Sequence, residues 1–102
     1  VASENDTFSG RVNRRAGAAV AAVRSALQLN QQDVADAMTA RGFRWHQPTV
    51  GRVEKGDQRL RADELQALAD LFGVGAGDLL AGDRAALTAQ VLRISEEGKK
   101  AA

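Results

Sequence analysis

The chain has 102 residues, 44% hydrophobic but only 4% aromatic, at a net charge of +1, which leaves room for one modest core and excludes two. Abundant alanine with few aromatics favours close-packed helices over a β-sandwich. The absence of cysteine excludes a disulfide framework and points to a reducing, intracellular setting; no apolar run approaches the ~18 residues of a membrane span, and no segment has the make-up of a signal peptide.

In chain order, residues 1–10 are polar and lack periodicity, so a flexible N-terminal arm is expected over 1–12. Ala16, Val20, Val23 and Leu27 recur at helical spacing and predict a first helix from about Asn13 to Leu27. Asn30 caps a second, with Val34, Ala37 and Met38 turned inward. A third runs from about Gln47 to Lys55 and stops at Gly56, a good C′ residue. Asp63 and Glu64 lie near the start of a fourth, where negative charge suits the helix dipole; Leu65, Leu68, Ala69 and Phe72 form its buried stripe, and Gly73 ends it. Asp78-Leu79-Leu80 opens a short fifth element. Leu87, Val91 and Ile94 mark an amphipathic helix over 83–97, ahead of a polar tail at 98–102. No strand signal survives, so the fold is expected to be all-α.

Only the third helix offers an exposed face that suggests chemistry. At about 100° per residue, Val50 and Val53 fall on one side and Pro48, Gly51, Arg52 and Lys55 on the other. A short helix that hides two valines and presents two cations is shaped to lie in a DNA major groove. Residues 11–61 hold ten Arg/Lys against four Asp/Glu, whereas residues 62–102 hold four against seven. A basic half joined to an acidic half fits a domain with one phosphate-facing side, though solvated charges clustered by chance would give the same counts.

Catalysis finds little to work with. One His, no Cys and no Tyr leave no cysteine nucleophile and no multi-histidine metal site, so no catalytic residue, metal or cofactor is expected. Gly73-Val74-Gly75-Ala76-Gly77 follows a helix and not a strand, and reads as a C-cap and turn. His46 is a helix cap or a phosphate neighbour, and Asp33 with Asp36 a solvated helix face.

The run Leu29-Asn30-Gln31-Gln32-Asp33-Val34-Ala35, then Gln47-Pro48-Thr49-Val50-Gly51-Arg52-Val53-Glu54-Lys55-Gly56, then Leu65 to Leu80 with Leu71-Phe72-Gly73-Val74, resembles the Cro/CI-type (XRE-like) helix-turn-helix repressors over residues 16–80. The resemblance implies a five-helix DNA-binding domain, here 13–82, with an extended connection between helices 2 and 3 and a C-terminal helix after it. It further implies a cytoplasmic, bacterial or phage-encoded transcription regulator, a repressor that binds double-stranded operator DNA as a homodimer.

Carried onto this chain, the resemblance gives Asn30 and Gln31 a grip on a backbone phosphate at the start of helix 2, where free N–H groups suit an anion; Asn30 serves as a cap in either case. Gln47 matches the first residue of the recognition helix, whose amide can reach an adenine edge, and Arg52 another base-reading position, with guanine its commonest partner. Lys55, Arg59 and Arg61 match phosphate-touching positions. An arginine at the place of Arg24 often pairs, in the family, with the glutamate at the place of Glu54, which would lock the reading helix to the scaffold.

The chain also departs from the family. Pro48 replaces a usually polar residue; it fits a first helical turn and can touch a thymine methyl without hydrogen bonding a base. Gly51 removes a side chain from the reading face, for close backbone approach or simply at a cost in helix stability. Arg61 stands where a small capping residue is usual. In Thr39-Ala40-Arg41-Gly42-Phe43-Arg44-Trp45 the usual tight turn between helices 2 and 3 is exceeded by about five residues. Helix 2 is expected to run a further turn to Gly42, with Phe43 and Trp45 tucked into the core and Trp45 stapled onto Val50 before a His46 cap. Arg41 and Arg44 either extend the phosphate contacts or have no such role.

Two other readings use the same fold: an antitoxin whose main partner is a protein, and an adaptor that has lost DNA contact. The C-terminal helix would then be a partner-binding face, rather than a dimer seam or a helix that packs only on its own domain.

Overall fold

A computed structural model, which describes residues 7–101, has six helices in the order α1 (Phe8–Ala26), α2 (Gln31–Ala40), α3 (Gln47–Lys55), α4 (Ala62–Phe72), α5 (Ala76–Ala81) and α6 (Arg84–Ala101). No strand occurs among the described residues. The predicted apolar stripes converge on one core, in which Phe72, Met38, Leu68, Leu79, Val20, Val34, Val50 and Val53 are fully buried. Ala35 joins them, while Leu65 and Ala37 are only half-buried.

Five helix ends close in the same way. At Gln28, Gly42, Gly56, Gly73 and Gly82 the backbone enters the left-handed region, with φ between 60° and 95°. In each case that residue's N–H donates to the carbonyl three residues back, and the next residue's N–H to the carbonyl five back. This double bond pair satisfies carbonyls that the helix end would otherwise strand. Four of the five residues are glycine; Gln28 alone carries a Cβ into this conformation.

The first helix begins earlier than its periodicity predicts. Thr7 is the N-cap, its Oγ1 accepting from the Gly10 N–H at 3.0 Å. The first six residues of the expected arm lie outside the described ones, but residues 8–12 are helical. These turns carry no apolar stripe because Gly10 is the residue they bury and Phe8 stands 75% exposed; one turn on, the exposed Arg14 and Arg15 lie against Gly56 and Gly82. Arg15 Nε reaches the Leu80 carbonyl at 3.4 Å. At the other end α6 continues to Ala101, so residues 98–101 of the expected tail are helical. Lys99, Lys100 and Ala101 are good helix formers, and a lone Gly98 does not stop them. Gln90 pins α6 to α5, accepting the Gly75 N–H at 2.7 Å and donating to Asp78 at 2.9 Å.

Helix α3 rests directly on α1. A Cβ at Gly17 would stand 2.1 Å from the Val53 carbonyl oxygen and 3.0 Å from that of Glu54, so the two backbones touch and only glycine fits between them.

Candidate nucleic-acid interface

The orientation of α3 follows from its own sequence. Pro48 sits in the first turn, where its missing N–H costs nothing. The N-terminal cap differs from the expected one: His46 holds the N-cap position, but its side chain makes no capping bond. Instead Thr49, which is buried, turns its Oγ1 back to accept the His46 N–H at 3.3 Å. At the other end the Asp57 N–H closes on the Arg52 carbonyl at 2.9 Å, around a Gly56 whose replacement Cβ would stand 2.5 Å from the Arg14 side chain. With Val50 and Val53 fully buried, Gln47, Pro48, Arg52 and Lys55 are exposed and Gly51 lies half-buried between them.

A hydrogen-bonded chain ties this face to the scaffold. Arg24 on α1 donates from Nε to Glu54 Oε2 at 2.6 Å and from Nη2 to Oε1 at 3.1 Å. Arg24 Nη1 also holds the Leu29 carbonyl at 2.9 Å, fixing the connection between α1 and α2. The side chains are largely buried, at 17% and 8% exposure. The hydrogen bond to Glu54 raises the Arg24 pKa above the ordinary arginine range; burial opposes it and the Glu54 charge adds to it. Gln31, at the start of α2, donates from Nε2 to Glu54 Oε1 at 2.9 Å, and its own Oε1 accepts from Gln47 Nε2. The first residue of α3 is therefore oriented through Gln31 by the same carboxylate that holds Arg24.

The remaining expected contacts divide into two groups. Asn30 is committed to a capping box, accepting the Asp33 N–H at 2.7 Å while Asp33 accepts the Asn30 N–H at 2.8 Å; Asp33 is thus a cap and not merely part of a solvated face. Arg41 donates to the Ala37 carbonyl at 3.2 Å at the end of its own helix. Arg61 is the N-cap of α4, its N–H donating to Glu64 Oε1 at 2.8 Å, and its guanidinium meets Asp63 at 3.0 Å in an exposed pair. Lys55, Arg44 and Arg59 are exposed. Arg59 lines a cleft with Ser9 and Asn13 from the first turns of α1. Arg44, Arg52 and Arg61 come together, with His46, around an open cleft of about 490 Å³ between the α2–α3 connection and the start of α4.

That connection is held rigidly. Helix α2 ends at Ala40, and Gly42 at φ 95° turns the chain back. Trp45 is buried and Phe43 packs half-buried on the core, in the cluster that contains Val50. Trp45 Nε1 donates to the buried Glu64 carboxylate at 3.0 Å, and the Trp45 carbonyl accepts from Thr39 Oγ1 at 3.1 Å. Sequence reasoning gave Glu64 a dipole role only; its bond to an indole 19 residues away leaves no local signal.

Among the described residues no group of acidic or histidine side chains is arranged to hold a metal, and no helix is long and apolar enough to cross a membrane. No curated protein and no solved structure matches the chain. A family model described as helix-turn-helix matches residues 20–79, from the middle of α1 to the buried Leu79 of α5. Six helices and no strand among the described residues, a two-valine helix seated against α1, and this match over more than half of the sequence establish that the chain belongs to the Cro/CI-type, XRE-like helix-turn-helix family of DNA-binding regulators.

Proposed function

We propose that the protein is a sequence-specific transcriptional repressor of the cytoplasm, acting as a dimer on a two-fold operator with half-sites about one helical turn apart. One observation carries the reading: α3 buries its valines and presents exposed Gln47, Pro48 and Arg52 around a half-buried Gly51, with Gln47 tethered through Gln31 to Glu54. Side chains held in advance lose less freedom on binding, which favours base reading over loose electrostatic attachment. Lys55 and Arg59 flank this face as phosphate contacts, with Arg44 and Arg61 beyond it along the cleft beside Arg52. The tethers on Asn30, Arg41 and the Arg61 guanidinium make these three secondary contributors.

Support for a second copy comes from α6. Between α1 and α6 runs an open, mainly apolar groove of about 320 Å³, in which Ala22, Val23, Ala26, Leu87, Val91 and Leu92 are joined by Arg84 and Thr88, and Leu92 is 58% exposed. The same groove is what an antitoxin or adaptor would offer to a protein partner, and it favours that second reading.

The reading separates its residues by kind of effect. Arg52→Ala should relax preference at one base position and weaken operator binding by roughly 1–3 kcal/mol. Lys55→Ala or Arg59→Ala should weaken binding to all duplexes and reduce the slope against log salt by about one. Titrations in which Arg52→Ala left both affinity and base preference unchanged would remove α3 as the reading element.

A further inference from the structure

Resting on the reading of Arg52 as a base contact, we infer that Gln58, in the loop after α3, is a positioning residue that presents the Arg52 guanidinium end-on to a base and so sets preference at one operator position. The turn at Gly56 makes this possible. Once the Asp57 N–H has closed on the Arg52 carbonyl, the chain doubles back and brings Gln58, half-buried, beside a side chain six residues earlier. Gln58 Oε1 accepts from Arg52 Nε at 3.0 Å. Thr49 Oγ1, one helical turn before Arg52 and buried, lies 3.4 Å from Nη2.

The two acceptors occupy one side of the guanidinium, its Nε–Nη2 side. Its Nη1–Nη2 end then points away from the loop, and this end carries two parallel N–H donors at the spacing of guanine O6 and N7. An exposed arginine without such support must be ordered on binding, at a cost of about two- to tenfold in affinity. Gln58 supplies that order in the free protein. The residue touches no base in this arrangement, so its influence is on geometry and not on charge. Nothing in the local sequence distinguishes it, because it lies beyond the helix stop and outside the pattern of the reading face.

The experiment uses the full chain and the duplex it selects from a random pool, together with duplexes altered one position at a time. Binding is titrated for wild type, Q58A, Q58E, R52A and the R52A/Q58A double variant, with melting curves for each. Q58A should lose about two- to tenfold of the guanine preference at the position that R52A abolishes, with an unchanged salt slope. Q58E, which keeps the acceptor oxygen, should retain the preference even if its added charge lowers affinity overall. In the R52A background Q58A should change preference no further. An unchanged preference in Q58A, or a loss of affinity equal across all duplexes, would overturn the inference while leaving Arg52 as a base reader. A wild-type protein that selects no duplex, or an R52A variant with unaltered preference, would overturn the reading beneath it and the inference together.

Discussion

Replacing Glu54 by alanine removes a carboxylate that accepts three hydrogen bonds, two from Arg24 and one from Gln31. The variant strands a guanidinium whose side chain is 17% exposed, although its bond to the Leu29 carbonyl survives. Breaking one side of a fully buried ion pair costs about 3–5 kcal/mol. Here the residual exposure and the surviving bond lower that to about 1–3 kcal/mol. For a chain of this size the loss corresponds to a fall in Tm of about 5–15 °C, read by helical circular dichroism. The double variant Arg24→Met, Glu54→Leu should recover most of the loss, because it removes both desolvation costs with the pair. The pH dependence has a definite sign. Because the folded-state pKa of Arg24 is raised, its contribution is fully present below the ordinary arginine range and is lost only as pH rises above it. A Tm within about 1 °C of the parent would refute the argument that this pair locks α3 to the scaffold.

Three further substitutions test the architecture. Gly51→Ala should raise Tm while weakening DNA binding: a Cβ there meets only the Gln31 amide, at 3.8 Å, so the free helix gains up to about 1 kcal/mol and only an approaching duplex is obstructed; a Tm that falls, or an unaltered affinity, contradicts this. Gly17→Ala should be far more damaging than its size suggests, since its Cβ would meet the Val53 carbonyl at 2.1 Å and backbone must move; melting at the parental temperature would deny the α1–α3 contact. Gln28→Gly should stabilise by about 0.5–1 kcal/mol by relieving a non-glycine residue held in the left-handed region, and denaturant unfolding that shows a loss would count against that assignment.

Periodic features were legible in the sequence, and paired ones were not. Val50 and Val53, the Asn30 cap and the glycine stop at Gly56 announce themselves because each acts within a turn or two of its own position. The pairing of Arg24 with Glu54 joins residues 30 apart and could be expected only through a family resemblance. The bonds from Gln31 to Gln47, Trp45 to Glu64 and Arg52 to Gln58 depend on how the helices lie against one another, which no local pattern encodes. The extra turns at the start of α1 carry no periodic signal for a different reason: the residue they bury is a glycine, Gly10. A His46 cap was the natural reading of a polar residue before a helix, yet Thr49 performs that task from inside it.

On the proposed function, the outward face of α3 reads DNA sequence. The most direct test is enrichment of duplexes from a random pool by the full chain at near-physiological salt. A two-fold symmetric consensus with half-sites about one helical turn apart is the expected result. Failure to enrich any duplex, with no binding even at low salt, would contradict it and leave the apolar groove along α6 as the protein's working surface.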